Sequence, residues 1–180
     1  MKEFEFINNL LKPLSNYIGD DCAFFDGYAI TKDVLISGVH VFADDEPFNL
    51  ARKALRVNLS DLAACGAEPF GFMLGLMLPK NISNDWLEKF AKGLAADIEE
   101  YHFKMLGGDT TSHDGPLAIS VTAIGKTNAP IKRSGAKEDD NIFVSGRIGD
   151  GFIGLKNRNG KYILPQPRIE LGMKLRGIAT

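Results

Sequence analysis

Asn58-Leu59-Ser60-Asp61-Leu62-Ala63-Ala64-Cys65-Gly66-Ala67-Glu68-Pro69 reads as the end of an amphipathic helix that carries a carboxylate beside its packed face. Leu55, Leu59 and Leu62 recur at i, i+4 and i+7 and form an apolar stripe, while Asn58, Asp61 and Cys65 fall at i, i+3 and i+7 on the stripe next to it. That spacing puts Asp61 at the edge of the buried side. Gly66 supplies a residue that tolerates positive φ past a helix end and Pro69 blocks continuation, so the helix stops within about a turn of the carboxylate. Taken alone, such an acid is most simply a helix-end carboxylate that solvates its surroundings, because a buried carboxylate needs partners.

Working outward, Asp44-Asp45-Glu46-Pro47 predicts the start of this helix, with an acid at the cap, proline in the first turn and negative charge at the positive helix end. Upstream, residues 28–31 and 34–41 lean towards strand on either side of Lys32-Asp33. Aspartate is depleted in strands, so Asp33 is at an edge, at a bulge or there for chemistry. Ile18-Gly19-Asp20-Asp21 reads as a loop whose two carboxylates are either solvated or suited to a cation. Residues 3–17 suggest a short leading helix or irregular arm.

Downstream, the nearly continuous apolar run 70–78 predicts a strand covered on both faces. Ser83 or Asn84 caps a second helix whose Leu87, Phe90, Leu94, Ile98 and Tyr101 share one core-facing stripe. Gly107-Gly108-Asp109-Thr110-Thr111 reads as a turn, 117–124 and 142–145 as strands, and 149–155 as a glycine-led helix. The order predicts an α+β fold, a mixed sheet with two main helices packed on one face.

A chain of 180 residues with 44% hydrophobic and 24% charged residues is ordinary globular material. Its net charge of −2, mixed along the sequence, leaves no footprint for nucleic acid or an anionic membrane. A phosphate-bearing ligand would then need metal ions. Cys22 and Cys65 lack CxxC spacing, His40, His102 and His113 lack zinc-ligand spacing, and reduced thiols in a cytoplasmic protein fit this usage. The acidic start does not resemble a signal peptide, and the apolar run 70–78 is far short of the ~20 residues a membrane span needs. Ile124-Gly125-Lys126-Thr127 ends like a Walker A loop, but Ser120 stands where that pattern needs its first glycine.

Four stretches, Ile18-Gly19-Asp20-Asp21-Cys22-Ala23, Asn58 to Ala64, Gly107-Gly108-Asp109-Thr110-Thr111 and Arg133-Ser134-Gly135-Ala136, closely resemble the motifs of the thiamine-monophosphate kinases, in the superfamily of aminoimidazole ribonucleotide synthetase. The resemblance implies ATP-dependent phosphorylation of thiamine monophosphate to thiamine diphosphate by in-line transfer, with several Mg²⁺ ions and no protein nucleophile. It implies that Asp21, Thr31, Asp33, Asp61 and Asp109 bind metal, that Gly108, Asp109 and Arg133 contact ATP, and that His40 contacts the substrate. The chemistry is coherent: Mg²⁺ takes hard oxygen ligands, glycines let a backbone approach phosphate, and Arg forks onto phosphate oxygens.

The same resemblance implies a homodimer formed through N-terminal strands, with residues 1–130 as an ATP- and Mg-binding domain and 131–180 as the incomplete beginning of a second domain that supplies further acids. One departure concerns Thr31-Lys32-Asp33, where the ammonium of Lys32 replaces a hydroxyl that would face a metal and is expected to displace one cation. Two other readings are a different ATP-using enzyme of the superfamily, such as a hydrogenase-maturation protein, and a catalytically silent dimerisation or nucleotide-binding module.

Overall fold

The structure, a computed structural model, describes residues 2–179. Strands β1 (Ala23–Phe25), β2 (Tyr28–Ile36), β3 (Glu68–Pro79), β4 (Lys104–His113) and β5 (Ala118–Lys126) form one sheet in the order β1-β2-β5-β3-β4. The sheet is mixed, because β3 and β4 run parallel while every other pair is antiparallel. A short helix α1 (Glu3–Phe6) continues through one π-turn and one 3₁₀-turn to form the leading arm.

Two long helices join the strands, α2 (Pro47–Ala64) between β2 and β3, and α3 (Asn84–Tyr101) in the parallel crossover from β3 to β4. Glu46 caps α2 by accepting the Asn49 N–H at 3.0 Å, Pro47 occupies the first turn, and Gly66 lies just past the end at φ +64°. Leu55, Leu59 and Leu62 of α2 meet Phe72 and Leu74 of β3 and Ile119, Val121 and Ala123 of β5 in the buried core. α2 and α3 cross so closely at Gly93 that an added Cβ would lie 2.2 Å from the Phe48 carbonyl oxygen, so only glycine fits there.

The α2–α3 interface is also tied by charge. Arg56 forks onto the fully buried Asp97 through Nε at 2.7 Å and Nη2 at 2.9 Å, and Arg52 Nε reaches the same carboxylate at 2.7 Å. With two guanidiniums on it, the carboxylate has the partners that burial requires.

Several expectations about elements change. The two runs around Lys32-Asp33 form one strand, β2, and its partner β1 pairs only with Tyr28 to Ile30, so Asp33 lies on an uncovered edge. The Gly107–Thr111 stretch is not a turn but part of strand β4, with a register irregularity opposite Phe72 and Met73. Gly107 has φ +155°, and a Cβ on Gly108 would sit 2.0 Å from the Leu74 carbonyl oxygen, so the glycines permit a close strand pairing rather than a reversal. Residues 142–145 form no strand, and Ile142 is 92% exposed.

The run 70–78 is a strand, but only one of its faces is covered in this chain. Phe72 is fully buried, whereas Met73 is 49% exposed on the sheet face away from the helices. Past the sheet, α4 (Asp150–Asn157), α5 (Gly160–Ile163) and α6 (Ile169–Lys174) follow. α6 packs against α2, where a Cβ on Gly172 would meet the Ala63 carbonyl oxygen at 1.9 Å.

Candidate functional site

The last turns of α2 lie against the middle of β2. Thr31 Oγ donates to Asp61 Oδ2 at 2.7 Å, and Asn58 Oδ1 accepts the Asp33 N–H at 3.2 Å. Because side chains alternate along a strand, Thr31 and Asp33 share the helix side of the sheet and Lys32 the other. Asp61 is thus half-buried at the edge of the packed stripe, with a hydroxyl holding one of its oxygens.

The loop before β1 closes the site from another side. Cys22 Sγ donates to the Asp61 carbonyl oxygen at 3.6 Å, the same oxygen that accepts the Cys65 N–H at 3.0 Å. The Cys22 thiol, hydrogen-bonded to Cys65 and buried, is held well above the usual thiol range and remains protonated. Next to it, Asp21 is gripped by Arg133, whose Nε lies 3.1 Å from Oδ2 and whose Nη2 contacts Oδ1. The Arg133 N–H also donates to Asp20 Oδ2 at 3.3 Å.

Burial makes negative charge costly at this cluster of oxygens. Burial pushes the Asp61 carboxyl up to about 6; the Thr31 hydroxyl opposes that, the nearby Asp33 and Asp21 carboxylates add to it, and Arg133 opposes it again. Burial also raises Asp33, against the pull of neighbouring His40. His40 Nδ1 accepts the Ile36 N–H at 3.1 Å, and its carbonyl oxygen accepts the Tyr162 hydroxyl at 3.2 Å. Two half-buried carboxylates that burial holds up, one of them also raised by its acidic neighbours, are poised for a cation.

The structure therefore brings Asp21, Thr31, Asp33, Asp61 and Arg133 into one neighbourhood, with His40 at its margin. It does not bring Asp109 there. Asp109 pairs with Gly75, which pairs with Ser120, which pairs with Val34, and this row projects from the sheet face opposite Thr31 and Asp33. Gly108 lies in the row of Leu74, Val121 and Asp33, at the open edge of the sheet. Lys32 is also corrected: its Nζ bonds Ser120 Oγ at 2.8 Å and Thr122 Oγ at 3.2 Å on the outer face, so it neither meets Asp61 nor replaces a cation there. Among the described residues no three acidic, histidine or cysteine side chains close tightly enough to form a metal cage.

Sequence reasoning placed Asn58 on the stripe of Asp61 without seeing its task. The signal was a polar residue one turn before the acid on a helix otherwise lined with leucine and alanine.

The family described as AIR synthase related protein, N-terminal domain, matches residues 19–127. The chain belongs to this family. It is 40% identical to a thiamine-monophosphate kinase of Caulobacter vibrioides over 193 aligned residues, covering 94% of this chain and 55% of that protein. The Salmonella typhimurium thiamine-monophosphate kinase is 42% identical, with 91% of this chain and 56% of the relative covered. The chain thus spans about half the length of the curated relatives it matches.

Among solved structures, the AaThiL complex with AMPPCP and TMP superposes with a TM-score of 0.88 at 30% identity over 97% of this chain and 62% of that one. The thiamine monophosphate kinase of Aquifex aeolicus gives a TM-score of 0.87 at 29% identity, over 97% of this chain and 64% of that one. A hydrogenase maturation protein, HypE in complex with ATP, shares the fold at a TM-score of 0.67 and 19% identity, over 96% of this chain and 56% of that one. These likenesses agree with the α+β fold and mixed sheet expected from the sequence.

Proposed function

We propose that this chain is the nucleotide- and metal-binding part of a thiamine-monophosphate kinase, which moves the γ-phosphoryl group of ATP onto the phosphate of thiamine monophosphate to yield thiamine diphosphate and ADP. The observation that carries this reading is the Asp61 cluster, in a chain about 40% identical to a thiamine-monophosphate kinase. The AaThiL complex with AMPPCP and TMP supports ATP and thiamine monophosphate as the ligand pair.

Mg²⁺ is the cofactor proposed, and the donor set fits it. Asp21, Asp33, Asp61 and the Thr31 hydroxyl are all hard oxygens, burial makes charge costly on Asp33 and Asp61, and the set leaves coordination open for phosphate and water. Magnesium bound there would neutralise charge on the transferring phosphates. The chain's own residues then hold geometry. Thr31 orients one Asp61 oxygen, Arg133 can exchange Asp21 for a phosphate oxygen, and His40 lies where a substrate can approach Asp33. Gly108 on edge strand β4 is assigned to the ATP phosphates, and the exposed outer sheet face with Val34 and Met73 to a second copy of the chain.

The division at about residue 130 is part of the same proposal. The family match ends at residue 127, and beyond it Ile142, Phe143 and Ile148 project into solvent as a surface suited to burial by further domain structure. A cytoplasmic setting fits the buried free thiols, and no described helix is long and apolar enough to cross a membrane.

Calorimetric titration of the chain with AMPPCP tests the reading. Binding should appear with Mg²⁺ and disappear when the ion is chelated. Equal affinity with and without Mg²⁺ would overturn the metal assignment, and no binding under either condition would overturn the nucleotide site.

A further inference from the structure

Asn58 is 0% exposed, and both ends of its amide are engaged. Nδ2 donates to the Ala54 carbonyl oxygen at 3.0 Å, one turn back along α2, while Oδ1 accepts the Asp33 N–H at 3.2 Å. That N–H has no strand to receive it, because β1 stops pairing at Ile30 and leaves the rest of the outer edge of β2 uncovered. The Asn58 amide stands in for the missing strand.

One turn further along the helix, Asp61 takes the Thr31 hydroxyl at 2.7 Å. The helix pair Asn58 and Asp61 thereby grips the strand pair Asp33 and Thr31 in reverse order, and two bonds fix both the separation and the register of the acids. With the Asn58 bond absent, the outer edge of β2 at Asp33 would be uncovered and held only by the pairing with β5, so its carboxylate could shift relative to Asp61.

We propose that Asn58 is a positioning residue for the acid site: it touches no ligand, and it holds Asp33 at the spacing from Asp61 that a bound divalent cation requires. The inference rests on the kinase reading above. A purely structural role for Asn58 would lower stability and leave metal affinity alone, so the two roles separate in measurement.

Asn58→Ser isolates the bond in question. A serine there can back-bond to the Ala54 carbonyl, as Ser60 already does to the Arg56 carbonyl oxygen at 2.8 Å, but it is too short to reach Asp33. Asn58→Leu removes both bonds while filling the space, and Leu59→Val serves as a control that loosens the same helix without touching either bond. Mn²⁺ binding by the 180-residue chain, with AMPPCP present, is followed by electron paramagnetic resonance, and urea midpoints are measured in parallel.

Support outside the first coordination sphere is typically worth about tenfold to a hundredfold in metal affinity, so Mn²⁺ affinity should fall by at least about tenfold in both Asn58 variants. Leu59→Val should lose a similar urea midpoint and keep its Mn²⁺ affinity within about twofold. Wild-type affinity in Asn58→Ser, with the wild-type chain binding Mn²⁺, would overturn the positioning role alone. Absence of Mn²⁺ binding by the wild-type chain would overturn this role together with the kinase reading. Should Asn58→Leu fail to fold, the serine variant carries the test.

Discussion

The two faces of the central sheet use polar residues in opposite ways. On the helix side, Thr31, Asp33, Asn58 and Asp61 sit beside fully buried leucines, and each hydrogen bond there is partly shielded from water and directional. On the outer side, Lys32 donates across the strand pair to Ser120 and Thr122 in contact with solvent, beside exposed Val34 and Met73. Hydrogen bonds cost little to lose where water can replace the partner and a great deal where it cannot. The lesson is that strand position alone says little about a polar residue's role, and the face it occupies says much.

The largest effect that would sharpen this contrast lies under the site. Leu59 is fully buried between α2 and the sheet, so Leu59→Ala should cost about 2–5 kcal/mol of stability, read by urea denaturation. A loss near that of an exposed substitution would show that the helix side is not the rigid face described here.

A smaller effect, on function rather than stability, is expected at Asp61. Asp61→Asn keeps the shape and removes the charge, so Mg²⁺-dependent AMPPCP affinity should weaken by more than about 1.4 kcal/mol, a factor of ten. Stability should move the other way with pH. The folded-state pKa lies at about 6 against 3.8 for the free side chain, so between these values the folded chain binds more protons than the unfolded one. Stability contributed by this group is therefore present at low pH and lost as pH rises through about 6. Thermal unfolding of wild type and Asp61→Asn across that window should show the wild type losing more stability than the variant, and saturating Mg²⁺ should restore it. Parallel pH profiles would break the electrostatic account of the inner face.

The smallest effect belongs to the outer face. Lys32→Met removes an ammonium whose partners are two solvent-accessible hydroxyls, so stability should change by no more than about 0.5 kcal/mol. Mg²⁺ affinity with AMPPCP present should stay within about twofold, since the sheet separates Lys32 from Asp61. A tenfold change in either direction would place Lys32 in the metal site after all and erase the distinction between the faces.

Much of the helix side was legible from local pattern. The acid cap and Pro47, the leucine stripe, the edge position of Asp61 and the stop at Gly66 each depend on residues within a turn or two, where 3.6-residue periodicity and backbone preference decide the outcome. The second helix and the loop at Gly19-Asp20-Asp21 were readable for the same reason. The four motif stretches also point to the family from the sequence alone.

What local pattern did not decide was everything that depends on pairing between distant segments. Gly107–Thr111 looked like a turn because glycine pairs usually mark one, yet close approach to Leu74 makes it a strand. Lys32 looked metal-facing because the family resemblance puts a hydroxyl at its position, and strand alternation together with the β2–β5 register turned it to the other face. Asp109 carries the residue type the site would use, but its row projects from the opposite surface. The sequence by itself determined the helices, their ends and the acids available. Only the tertiary structure decided which acids meet, because a carboxylate's neighbours are set by strand register and by the uncovered edge that Asn58 fills, and neither is encoded within a single window of chain.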